Sequence, residues 1–311
     1  MEKTLSVSII GNKKAKSIVE LIAKCIFIVF AVVAIVAVLS ITIYMLYIGT
    51  PALTKVGIAD FLFGTEWAPT AIEPKFGIFY VILTSIAGTI AALLIGVPIG
   101  ILTAVFLAEV GSKKISAVVQ PAVELLAAIP SVIYGLVGVK ILKPWMFELE
   151  KWVFQDSNTH QFTGGANLLS AIFVLAIMIL PTVINVSTSS IRAVQSSIKS
   201  ASLALGATKI QTIFKVILPA AKSGIMTAVV LGLGRALGEA MAINMVAGNA
   251  VNLPLPFHSV KFLTTAIVSE MGYSSGVHRE ILFTIGLVLF AFILFTNLIL
   301  TRIIQKGDNE S

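Results

Sequence analysis

One cysteine, three histidines and a charged fraction of only 12% are the scarcities of this 311-residue chain. The lone thiol, Cys25, leaves no partner for a disulfide within the chain and excludes a cysteine-based metal site. His160, His258 and His278 fall in separate expected loops, which gives no zinc-ligand pattern, so neither a metal nor any other cofactor is expected. A soluble domain carries about a quarter charged residues, so an ordinary soluble fold is excluded. No glycine-rich loop ends in Lys-Ser or Lys-Thr, so the chain has no Walker-type nucleotide site of its own. No Ser–His–Asp or Cys–His constellation can be assembled from the loops, which argues against an enzyme. No basic run is interleaved with aromatics, so the net charge of +7 is expected to face anionic lipid headgroups rather than nucleic acid.

What is present is apolar: 57% hydrophobic residues and a mean hydropathy of +1.00. The pattern predicts an all-α polytopic membrane protein with six transmembrane helices, roughly 25–48, 76–108, 117–142, 167–188, 223–247 and 281–304. The first run is too long for a signal-peptide core and lacks a small-residue cleavage site, so it is read as a span. Pro51, Pro69 and Pro74 are expected to break helices in the loop 49–76, where Phe61, Phe63 and Trp67 read as interface aromatics. Kinks are expected at Pro98, Pro130 and Pro181. Lys and Arg in the N-terminal, second-to-third, fourth-to-fifth and C-terminal segments outnumber those in the other loops two to one, which places both termini in the cytoplasm. No internal repeat supports an inverted-repeat transporter.

The organising stretch is 231–249, LGLGRALGEAMAINMVAGN. It carries Arg235 and Glu239 within a run that crosses the bilayer. A charge there costs roughly 2.5–3.5 kcal/mol on insertion scales, so such residues default to function. Read as one helix, the stretch puts both side chains on one face, and Gly234 and Gly238 on an adjoining strip that admits a close neighbour. The functional reading is a charged pathway lining in which the guanidinium meets an anion's oxygens. The structural alternative is a buried ion pair of Arg235 with Glu239, or with Glu124 in the third span.

Just before it lies 200–219, SASLALGATKIQTIFKVILP, with apolar residues at helical spacing around a central glycine. A helix ended by glycine, then a proline that starts the next helix, makes a compact knob. The segment resembles the EAA loop of bacterial ABC-importer permeases: Glu-Ala-Ala, three residues, Gly, nine residues, Ile-x-Leu-Pro. It aligns as Ser200-Ala201-Ser202, Gly206 and Val216-Ile217-Leu218-Pro219, with Ser200 and Ser202 departing from the pattern. GLGRALGEAMA, together with 123–138 (VELLAAIPSVIYGLVG) and 61–69 (FLFGTEWAP), resembles the PstC family of phosphate-import permeases.

The resemblance implies a type-1 ABC permease core over 77–304, preceded by residues 1–76 (cytoplasmic N-terminus, first span and outer loop) and followed by a cytoplasmic tail, 305–311. It implies phosphate import across a bacterial or archaeal plasma membrane, with Arg235 and Glu239 in the pathway. It also implies an ATPase-coupling role for Ala201, Gly206, Leu218 and Pro219. The implied partners are a sister permease, two copies of an ABC ATPase and an extracytoplasmic phosphate-binding protein. Rival readings are a molybdate or sulfate permease, the sister phosphate subunit, or an intramembrane lipid-modifying enzyme using Glu124 and Glu239.

Overall fold

The computed structural model describes the backbone of residues 13–309 and the side-chain surroundings of residues 20–302. Lys3 and the end of the C-terminal tail lie outside the described residues. The chain opens with α1 (Lys13–Val56), a helix of 44 residues that packs along the last helix and otherwise turns apolar side chains outward. It runs through Pro51 without a break. A short α2 (Ile58–Phe63) and a two-stranded antiparallel hairpin, β1 (Trp67–Ala68) and β2 (Lys75–Phe76), complete the first loop. Phe61 is fully buried here, so it is a core residue and not an interface anchor.

The centre of the molecule is the packing of α3 (Phe79–Val105) on α7 (Leu168–Arg192). Glycines on α3 allow it. A Cβ at Gly96 would stand 2.7 Å from Ile179 Cδ1 and 3.0 Å from the Ala176 carbonyl. A Gly96→Val variant is therefore expected to lose about 1–3 kcal/mol through overpacking. A fluorescence-detected thermal shift of the purified protein would read this as a lowered melting temperature. Helix α7 is buried along most of its length and is capped by Asn167, whose side chain accepts from the Ser170 N–H at 3.0 Å.

Between these helices lie α4 (Lys113–Ala128), α5 (Ser131–Val137) and α6 (Lys143–Val153). The expected third span is bent by 98° at Ile129–Pro130. After α7 come α8 (Ser196–Ala204), α9 (Lys209–Thr212) and α10 (Leu218–Ala220). Then follow α11 (Lys222–Gly238), α12 (Met241–Val246), α13 (Leu263–Glu270) and α14 (Gly276–Asn309). The segment Lys209–Ala220 meets α11 at 69°. Four helices are thus continuous, long and apolar enough to cross a membrane, and the count reaches six if each bent pair is one span.

Most prolines do not break their helices. Pro98, Pro121 and Pro181 lie inside α3, α4 and α7. Two others, Pro144 and Pro219, stand one residue beyond π turns, Gly138–Leu142 and Ile213–Ile217. The residue before each proline bonds back five positions, Lys143 to Gly138 and Leu218 to Ile213. The widened turn relieves the clash of the proline ring with the preceding carbonyls.

Candidate functional site

Arg235 stands in the last turn of α11, which is held against α7 and α3. The helix does not continue to Glu239 as a single span would require. It stops at Gly238, Glu239 is extended (φ −74°, ψ 127°), and α12 begins two residues later. The cause is local. The Glu239 carboxylate accepts the Ala242 N–H at 2.8 Å and so supplies a partner for an amide that the start of α12 leaves unbonded. Arg235 and Glu239 are therefore not one helical turn apart, and no ion pair joins them among the described residues. Gly234 and Gly238 admit no neighbour within the chain, since a Cβ at either would meet open space. The close contacts of α11 are made at Gly224 and Gly232 instead.

Arg235 is half-buried, and among the described residues its guanidinium makes one hydrogen bond, a long one, 3.4 Å from Nη1 to the Thr182 hydroxyl of α7. The other interrupted span brings in the phenol of Tyr134, on α5. That phenol spans the Ile129–Pro130 break and donates to the Leu126 carbonyl at 2.6 Å, beside the long 3.3 Å bond that the same carbonyl accepts from the Ile129 N–H. One turn further along α7, Asn185 accepts from Gln120 of α4 at 3.2 Å. Gln120 also donates to Glu124 at 3.3 Å, and Glu124 is exposed. Helix α7 thus carries a polar stripe, Thr182 and Asn185, that meets polar groups on α11 and α4. Sequence reasoning missed Thr182 and Gln120. The signal for Thr182 was its spacing of three from Asn185, and that for Gln120 its spacing of four from Glu124.

At one end of the molecule, α8 and α9 form the knob that the sequence predicts. Gly206 takes φ +88°, and the bonds Gly206 N–H to Leu203 carbonyl (3.0 Å) and Ala207 N–H to Ser202 carbonyl (3.2 Å) close the helix in a Schellman pattern. Thr208 and Gln211 then form a reciprocal capping box at the start of α9. The hydroxyl of Ser202 bonds that of Thr212 across the turn at 2.9 Å. Thr212, Ile213 and Ile217 are buried, whereas Leu203, Leu205, Ile210 and Phe214 are exposed. Ala201 and Gly206 are exposed and Leu218 is half-buried. Pro219 does not itself mark the elbow, because the bend follows at Ala221 (φ −92°, ψ 4°) before α11 starts. Lys199 of α8 pairs with Glu109 in the π turn after α3, and Arg192 donates to the Leu107 carbonyl at 3.2 Å. The knob is anchored on one side and apolar on the other.

The opposite end holds two buried carboxylates. Glu150 accepts from the Thr163 N–H and hydroxyl, both at 2.9 Å, and pairs with His160 at 2.9 Å. Glu270 is bound by Trp67, Lys261 and His278. Two histidines that lie far apart in sequence thus each contact a carboxylate. Trp67 is a hydrogen-bond donor in the fold rather than a membrane-interface anchor. A cavity of about 870 Å³ beside the hairpin is lined by Lys55, Asp60, Glu66, Lys75 and His278.

The model of the family described as binding-protein-dependent transport system inner membrane component matches residues 96–307. The chain is 40% identical over 271 residues to a probable ABC transporter permease protein, YqgH, of Bacillus subtilis, covering 84% of each. It is 35% identical over 282 residues to the phosphate transport system permease protein PstC of Xylella fastidiosa, covering 85% of each. It is 35% identical to the PstC protein of Pasteurella multocida over 81% of this chain and 82% of that one. In fold it is similar to a chain of a bacterial alginate ABC transporter in complex with an alginate-bound periplasmic protein. There the TM-score is 0.62 at 21% identity, over 92% of this chain and 97% of that one.

Proposed function

The chain belongs to the family of binding-protein-dependent transport system inner membrane components, and from that premise we propose that this ABC importer permease subunit carries inorganic phosphate. It is a multi-pass membrane protein and not an enzyme. The observation that carries the phosphate reading is Arg235. It is a half-buried cation at the end of an interrupted helix, and no carboxylate pairs with it among the described residues. A guanidinium offers a planar fork of donors that suits phosphate oxygens. The PstC relatives support the same cargo.

In this reading the core, 77–304, works beside a sister permease, two copies of an ATPase and an extracytoplasmic phosphate-binding protein. Residues 1–76 precede that core and the tail 305–311 follows it. Both termini and the knob face the cytoplasm of a bacterium or archaeon, and the hairpin faces outward. Closure of the ATPase pair pushes on Ala201 to Pro219. The elbow at Ala221 passes the motion to α11, which turns Arg235 from one side of the membrane to the other. Glu239 refuses sulfate: phosphate retains a proton at neutral pH and donates it to a carboxylate, whereas sulfate has none to give and meets repulsion.

ATP hydrolysis by the reconstituted complex tests the cargo. Phosphate-loaded binding protein is expected to stimulate it, and sulfate- or molybdate-loaded binding protein is not. Stimulation by another oxyanion in place of phosphate overturns the assignment. Glu239→Gln keeps an oxygen for the Ala242 N–H but removes the charge. Its ratio of sulfate to phosphate response is expected to rise about tenfold or more, the scale on which a lost polar match relaxes specificity. An unchanged ratio removes the carboxylate from that role.

A further inference from the structure

Both ends of α13 are tied by hydrogen bonds to groups outside the helix. At its last residue, Glu270 is 4% exposed and its carboxylate receives three donors. Trp67 Nε1 reaches its two oxygens at 3.1 and 3.2 Å, His278 Nε2 lies at 2.7 Å, and the Lys261 ammonium pairs with it. The donors come from three segments: the hairpin, the loop before α13 and the first turn of α14. At the other end, the Thr264 hydroxyl donates to the Glu239 carbonyl at 2.7 Å. The Leu263 N–H donates to Ser85 of α3 at 2.9 Å. Glu239 in turn holds the Ala242 amide of α12. One helix of eight residues, about 12 Å long at 1.5 Å per residue, therefore connects the hairpin to the interruption in the pathway helix.

Stability does not account for the hub. A buried Lys–Glu pair returns little over apolar residues of the same volume. What the hub does provide is directional: the Trp67 bonds to Glu270 fix α13 to the hairpin at one angle. The wall of the hairpin cavity contains His278, so an object seated there presses on a Glu270 donor directly.

We infer that Glu270 and Thr264 are positioning residues through which α13 carries the state of the outer hairpin to the turn that bears Glu239. The inference rests on the importer reading above, in which the hairpin faces outward; it adds that the binding protein docks on the hairpin face. Docking shifts the hub, α13 follows as a rigid rod, and the Thr264 bond moves the Glu239 carbonyl.

The test uses the assembled importer in proteoliposomes, with Cys25 replaced by Ser and a reporter thiol introduced by Gly238→Cys, where a side chain meets open space. Addition of substrate-loaded binding protein is expected to change the labelling rate of that thiol about fivefold, the scale of a modest coupling between sites. Thr264→Val is expected to abolish this change and to slow uptake about tenfold with KM little altered, as loss of an interaction outside ground-state binding does. Thr264→Ser, which keeps the hydroxyl, restores both. Glu270→Gln combined with Thr264→Val is no worse than the stronger single variant, since both interrupt one path. Labelling and uptake by Thr264→Val at wild-type levels overturn the inference, and so do additive effects of the pair. Should Glu270→Gln fail to assemble, the Val and Ser variants at 264 decide the matter alone. The labelling arm is independent of the cargo, so a wild-type complex that ignores phosphate but still shows the labelling change refutes the phosphate reading and not this one.

Discussion

An importer carrying Arg235→Gln is expected to take up phosphate at least about a hundredfold more slowly than wild type, the scale seen when a preorganised donor to a charged group is removed. It is expected to assemble normally. Glutamine retains a donor for the Thr182 hydroxyl, the one group among the described residues that bonds the guanidinium, and that bond is long at 3.4 Å. No carboxylate among the described residues loses a partner, so no buried anion is left unpaired. The loss thus falls on transport and not on folding. Uptake of radiolabelled phosphate alongside the yield of co-purified complex separates the two. Arg235→Lys keeps the charge without the planar fork, and is expected to fall between wild type and Arg235→Gln. Normal uptake by Arg235→Gln would mean that the pathway runs elsewhere and that this cation is structural.

The sequence made the apolar helices legible because length and hydropathy suffice for them. The runs that became α3, α7 and α14 needed no tertiary information. The knob was legible because a glycine that ends a helix is local chemistry; the capping pair Thr208 and Gln211, three residues apart, is equally local but was not read. Proline was a poor guide. Ile129–Pro130 interrupts its helix and bends the chain by 98°, whereas Pro98 and Pro181 lie inside uninterrupted helices. At the bend, the Tyr134 phenol donates to the Leu126 carbonyl, a bond between residues eight apart that no helical periodicity announces. Glu239 was misplaced for a related reason. GLGRALGEAMA reads as one amphipathic helix, yet the carboxylate can bond an amide three residues ahead, and the fold takes that option. The Glu270 hub was illegible, because its donors come from segments as far apart as Trp67 and His278.

Leu205→Asp is expected to release the ATPase. Leu205 is 90% exposed at the tip of the knob, immediately before the positive-φ Gly206, and Leu203, Ile210 and Phe214 are exposed around it. An isolated apolar protrusion of this kind, anchored from behind by the Lys199–Glu109 pair, is shaped to enter a groove on another protein. A charge at its tip must then be buried without a partner. Central interface positions of this sort cost at least about 2 kcal/mol when spoiled, roughly a thirtyfold loss in affinity, and an unpaired carboxylate costs more than a truncation. The chain itself does not suffer, because at 90% exposure the side chain supports little within it. The expected result is a permease that reaches the membrane and binds its sister chain but retains almost no ATPase on co-purification. Its ATP-driven uptake falls to background. Leu205→Met, apolar and of similar volume, should behave as wild type. Gly206→Val should fall between them: the contact surface survives, but the turn must leave a conformation that disfavours a β-branched residue by about 1–2 kcal/mol or more, which tilts the knob rather than charging it. That ordering follows only if the knob works by fitting into a partner. Were it an interfacial helix resting on lipid headgroups, Leu205→Asp would weaken membrane contact slightly and leave the ATPase bound.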